Sequence, residues 1–196
     1  FIIKDDATEL HAQESGQRIV RWAAEANGAS LWRFDEVDVS KAQAAVSYTN
    51  VVQGKVTTGI GNKDQGIVRA VIRVSGLEGT VKFQGVKGRY AGNNKAAVSS
   101  VKAYFATNAR ELFVDEDRKM QWREENGELF GEPVTLDENS EFTITGTKEL
   151  APGDHYLWIA YDIADDANEG DRVDARILDY VINGETRTEE NGHPNH

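Results

Sequence analysis

Carboxylate pairs are the residues of this chain best suited to acid–base chemistry. Asp115, Glu116 and Asp117 are consecutive, and Glu124 and Glu125 follow shortly after. Two carboxylates can hydrolyse a glycosidic bond when they face each other across a sugar at roughly 5 to 10 Å. With 33 acidic residues in the chain, however, such pairs arise by chance and are typical of a solvated loop. We therefore expect no catalytic residues in this chain.

A later acidic run could bind a cation. It consists of Asp162, Asp165, Asp166, Glu169, Asp171 and Asp174. Calcium takes about 6–8 oxygen ligands, often from flexible loops, but the spacing is not that of an EF-hand. A charged turn between two strands explains the run without a metal. The sequence therefore predicts no cofactor and leaves open a structural calcium, with Asp162, Asp165, Asp166 and Asp171 as candidate ligands.

Aromatic side chains are the best candidates for carbohydrate binding, because a flat ring offers an apolar face on which the C–H face of a sugar can stack. Trp122 and the adjacent Arg123 lie in a polar stretch within a long connection. Tyr90 and Tyr104 are further candidates, and Tyr104 falls opposite the apolar face of its predicted strand. The alternative is that these rings cap the fold or pack against a neighbouring domain.

Other kinds of chemistry have little support in the sequence. There is no cysteine, and no Gly-x-Ser-x-Gly, His-Glu-x-x-His or Walker motif occurs. His193 and His196 belong to a polar tail, whereas His11 and His155 lie in strand-like runs and are expected to be structural. The net charge of −11 would repel a phosphate backbone, so we expect no nucleic-acid partner. No stretch approaches the ~20 apolar residues of a membrane span.

Alternating apolar and polar residues indicate that the chain consists mainly of strands. In the run 66–74, Val68, Ala70, Ile72 and Val74 share one face. Similar patterns recur at 81–83, 99–105, 141–145, 155–163 and 173–182, separated by turn signals such as Gly92-Asn93-Asn94 and Asn183-Gly184. A half-buried antiparallel sheet must pack against a second sheet. The predicted fold is therefore all-β, an antiparallel, jelly-roll-like β-sandwich.

The first 39 residues differ from the rest, with four short strand-like runs at 1–3, 9–12, 18–22 and 31–34. So small a unit buries too little apolar surface to fold easily alone. We predict three parts: a β fragment at 1–39, the sandwich at 40–187 and a polar tail at 188–196. Because the chain begins at Phe1 inside a strand-like run, we expect a processed or excised fragment.

The fragment at 1–39 resembles the last repeat of a β-trefoil, of the kind found in large secreted proteins of Bacteroidetes. The matching segments are 1–5, 10–12, 20–22, 29–32 and 36–37. One repeat of three is present, so a closed trefoil cannot form from this chain alone.

The larger part resembles the β-sandwich domain found N-terminal to the catalytic propeller of bacterial sialidases. The matching segments are 52–56, 66–74, 101–105, 129–131, 150–158 and 161–175. The resemblance implies a non-catalytic position and a secreted or cell-surface location, with the periplasm as an alternative. The Ser-x-Asp-x-Gly-x-Thr-Trp boxes of the propeller do not occur, so sialidase activity does not carry over.

Together these patterns predict an accessory module of a glycan-processing protein with a sialidase-like parent, whose partners are a glycan or a neighbouring catalytic domain. The alternative is a structural spacer or protein-interaction domain of a surface adhesin or protease.

Overall fold

The computed structural model describes residues 4–5, 8–12, 19–23, 43–53, 57–106 and 127–189. The chain divides into two compact units, Phe1–Asp38 and Val39–His196. In the first unit, β1 (Lys4–Asp5), β2 (Thr8–Ala12) and β3 (Ile19–Ala23) form an antiparallel sheet in that order. The β-trefoil-like repeat extends outside the described residues, as do its runs at 1–3 and 31–34, and it stays a prediction.

The second unit is a sandwich of two antiparallel sheets. Its strands are β4 (Ala45–Gln53), β5 (Gln65–Ser75), β6 (Val81–Tyr90), β7 (Val98–Ala106), β8 (Gly127–Leu129), β9 (Glu141–Leu150), β10 (Gly153–Ile163), β11 (Ala175–Ile182) and β12 (Glu185–Thr188). One sheet has the order β4-β5-β10-β7-β8 and the other β12-β11-β6-β9. The chain crosses between the sheets after β5, β6, β8, β9 and β10, which makes the topology jelly-roll-like. The predicted fold class is confirmed.

Strand β5 illustrates how the sequence pattern forms a sheet layer. Val68, Ala70, Ile72 and Val74 are at most 3% exposed, whereas Arg73 on the opposite face is exposed. Each buried side chain faces the second sheet because successive residues of a strand point to opposite faces. Strand β10 lies at the centre of this sheet, as its apolar run predicts.

Aromatic rings join the two sheets. Phe83 on β6 packs edge-to-face on Phe105 of β7, with ring centroids 5.3 Å apart. Phe130 completes the cluster, 5.1 Å from Phe83, and Tyr180 of β11 lies at its border. Truncating a buried Phe to Ala usually costs about 3–5 kcal/mol, so this cluster is a major part of the core.

Helical structure is nearly absent from the parts of the chain that the structure describes. Within those ranges, a three-residue 3₁₀ turn at Lys95–Ala97 is the single helical element. No helix there is long and apolar enough to cross a membrane.

Candidate functional site

Loops at one end of the sandwich enclose a cleft of about 950 Å³, here called the end cleft. Strand β5 begins where β10 ends, because Gln65 pairs with Tyr161, and β6 ends where β11 begins, because Tyr90 pairs with Ala175. The segment between β10 and β11 joins these two pairs, so the loops at the four strand ends meet. The lining residues are 57–60, 91–93, 97, 163 and 167–174.

The hydroxyl of Tyr90 ties two of these connections together. It lies 2.8 Å from both the Asn94 and the Arg172 carbonyl oxygens and accepts a hydrogen bond from the Asn94 N–H at 3.1 Å. Burial raises the pKa of Tyr90, so the phenol stays protonated and available as a donor. Gly92 leaves room for this junction, since a Cβ there would approach the Arg172 oxygen to 2.0 Å.

Side-chain caps hold the same loops in place. The Arg172 N–H donates to Asn93 Oδ1 at 2.7 Å, and the Asn93 N–H donates back to the Arg172 carbonyl at 3.1 Å. Asp171 Oδ2 accepts from the Asn168 N–H at 2.8 Å and from Asn94 Nδ2 at 2.9 Å. These hydrogen bonds hold the pKa of Asp171 below its usual value of 3.8. The cleft is therefore pre-formed, and one of its acids is ionised.

An ion-pair network anchors the wall formed by residues 57–64. Lys102 Nζ lies 2.7 Å from Asp64 Oδ1 and 3.0 Å from Asp162 Oδ1, and the Tyr104 hydroxyl donates to Asp64 Oδ1 at 2.7 Å. The Asp64 N–H donates to Asp162 Oδ1 at 2.9 Å. Burial of the ammonium lowers the pKa of Lys102, but the hydrogen bonds to both carboxylates outweigh this and leave the pKa above 10.5. The network connects this wall to β7 and β10.

The four candidate calcium ligands have different surroundings. Asp162 is engaged with Lys102, Asp171 caps its own loop, and Asp165 and Asp166 are exposed. Within the described ranges, no group of three or more Asp, Glu or His side chains could hold a metal ion. Calcium binding stays a prediction that solution measurements must test.

The aromatic candidates for sugar stacking are placed as follows. Tyr90 is 7% exposed and Tyr104 is 8% exposed, with its ring in a small cluster that includes Trp158. Burial raises the pKa of Tyr104, and the hydrogen bond to the Asp64 carboxylate raises it further. A ring so enclosed offers little face to a sugar. Trp122 and Arg123 lie outside the described residues.

Sequence reasoning overlooked several residues of the end cleft. Ile60 is 52% exposed on its wall, and Asn93 and Asn168 place amides in its lining. The available signal was weak: Gly92-Asn93-Asn94 was recognised only as a turn, and 57–60 carried no motif. These segments form a site only because distant strands pair.

Comparisons with known proteins agree with the fold. No family model and no curated protein matches the chain. Among solved structures, "Hadza microbial sialidase Hz136" is similar with a TM-score of 0.52 and 9% sequence identity. The similarity covers 69% of this chain and 28% of that chain. The sandwich therefore shares its fold with a portion of a microbial sialidase.

Proposed function

We propose that this chain is a non-catalytic accessory module of a secreted or cell-surface glycan-processing protein, and that the end cleft binds carbohydrate. The observation that carries the proposal is the pre-formed cleft, on a fold shared with part of a sialidase. Ligand sites commonly occupy about 300–1,000 Å³, which includes the size of this cleft. A modular role is supported because the similarity spans only 28% of that sialidase.

The state of the cleft carboxylates supports a non-catalytic role. A glycosidase needs a general acid whose pKa is raised so that it is protonated near neutral pH. The pKa of Asp171 is lowered, and its Oδ2 is committed to loop N–H groups. Asp174 Oδ1 similarly accepts from the Ala175 N–H at 2.6 Å. Two of the three cleft carboxylates therefore contribute to loop structure, and we assign any hydrolysis to the parent protein.

A structural spacer or protein-interaction domain is the second candidate. It is favoured by the burial of Tyr90 and Tyr104, whose hydroxyls bond within the chain. A spacer would bind no glycan, which separates it from the first candidate.

A glycan-array screen of the purified chain, with and without added calcium, tests the proposal. We expect saturable binding that Ile60→Ala weakens, because Ile60 supplies exposed apolar surface to the cleft wall. Leu77→Ala is the matched control: Leu77 is 62% exposed but follows the opposite end of β5. Absence of binding to every glycan would favour the spacer.

Two further arms complete the experiment. Trp122→Ala tests whether the predicted aromatic site contributes to glycan binding. Loss of binding in this variant alone would place the binding site outside the end cleft. A fluorogenic sialoside tests catalysis, and we expect no turnover above the buffer rate. Turnover by the purified chain would contradict the accessory role.

A further inference from the structure

The lining of the end cleft contains more acidic than basic residues. The acidic residues of the lining are Glu169, Asp171 and Asp174, and its basic residue is Arg172. The whole chain carries a formal net charge of −11. A cleft whose lining has an excess of one sign of charge attracts or repels ligands according to their own charge.

The negative charge at Asp171 is fixed in place. Its carboxylate accepts hydrogen bonds from Asn94 and Asn168, so it cannot turn away from a ligand without losing them. Glu169 is exposed and makes no hydrogen bond within the described part of the chain. It therefore adds a negative charge to the cleft lining and has no structural role there.

The remaining lining suits a neutral, hydroxyl-rich ligand. Asn93 uses its Oδ1 to cap Arg172, while its Nδ2 has no hydrogen-bond partner among the described residues. Asp171 similarly uses Oδ2 and leaves Oδ1 without one. An amide donor and a carboxylate acceptor can engage sugar hydroxyls, and the exposed side chain of Ile60 can cover a C–H face.

We propose that the end cleft binds a neutral sugar unit and discriminates against sugars that carry a carboxylate. This specificity rests on the proposed glycan-binding function. It implies that the chain recognises neutral parts of a glycan and does not retain an acidic sugar in this cleft.

The test uses two pairs in which one member carries a carboxylate. Cellobiose and its 6-carboxyl derivative differ only at C6 and are the matched pair, whereas 3′-sialyllactose carries a whole sialic acid unit in addition to lactose. Isothermal titration of each into the full chain should show neutral binding at least about tenfold tighter at low salt for any pair that binds. The difference in affinity between the neutral and the acidic sugar should become smaller at about 1 M salt, where charges are screened within ~3 Å. Glu169→Gln should also reduce this difference in affinity. Glu185→Gln should not, because Glu185 lies on the exposed β12 at the other end of β11.

Each outcome supports or overturns a specific claim. Equal or tighter binding of the carboxylate-bearing members overturns the charge argument and leaves glycan binding standing. Binding unaffected by Ile60→Ala and Asn93→Ala shows that the site lies elsewhere on the chain. No binding by these pairs or by any glycan of the array removes the proposed function as well.

Discussion

Replacing Lys102 with Met removes the charge that holds the cleft wall while keeping most of the aliphatic stem. The side chains of Lys102, Asp64 and Asp162 are 17%, 24% and 12% exposed. Breaking a fully buried pair costs about 3–5 kcal/mol, whereas an exposed pair contributes about 0–1 kcal/mol. The partial exposure places Lys102→Met between these limits, so we expect a loss of about 2–3 kcal/mol in the free energy of unfolding.

Urea unfolding followed by circular dichroism measures this loss. Lys87→Met is the matched control, because Lys87 also lies 2.7 Å from a carboxylate, that of Glu141, but is 41% exposed. We expect the control to cost clearly less, because an exposed ion pair is screened by water and contributes little to stability. In a background carrying both Asp64→Asn and Asp162→Asn, the cost of Lys102→Met should fall to a similar level, since no carboxylate is then left unpaired. Equal costs for the two lysine variants, or an unchanged cost in the Asn background, would refute a charge-based role for Lys102.

Three further predictions concern the loops and the sheet beneath them. Tyr90→Phe should lower the unfolding free energy by about 1–3 kcal/mol, measured by thermal unfolding, because a buried hydroxyl junction is lost; an unchanged stability would argue against that junction. Gly88→Ala should destabilise strongly, since a Cβ there would meet Phe142 Cζ at 2.3 Å and the Arg176 oxygen at 2.8 Å, and soluble protein of wild-type stability would contradict this. The lowered pKa of Asp171 means that its carboxylate stabilises the fold above pH 3.8, and that this stabilisation is lost as the pH falls through the pKa of the folded state. Asp171→Asn should therefore make the free energy of unfolding depend less steeply on pH in the acid range. The same acid dependence in the variant and the wild type would show that Asp171 makes no such contribution.

Regular alternation made much of the sandwich predictable. Strands such as β5 and β10 carry long apolar patterns, and the structure places both within one residue or two of the predicted limits. Strand β8 has three residues and β12 is exposed throughout, so neither shows the alternation that marks a half-buried strand.

The candidate site was less predictable because it depends on pairing between distant segments. The loops meet only once Gln65 lies opposite Tyr161 and Tyr90 opposite Ala175, and nothing local in the sequence specifies these partners. Alternation correctly placed Tyr104 on the face opposite the core. Its enclosure beside Trp158 depends on tertiary packing that a single strand does not reveal.

Chemical-shift mapping of the ¹⁵N-labelled full chain, titrated with the tightest-binding neutral glycan of the array, tests whether the end cleft binds carbohydrate. We expect saturable shifts at residues 57–60, 91–93 and 167–174, and unchanged signals for residues near Leu77 at the other end of β5. Saturable binding that leaves all three cleft segments unshifted, or no binding at all, would contradict this expectation.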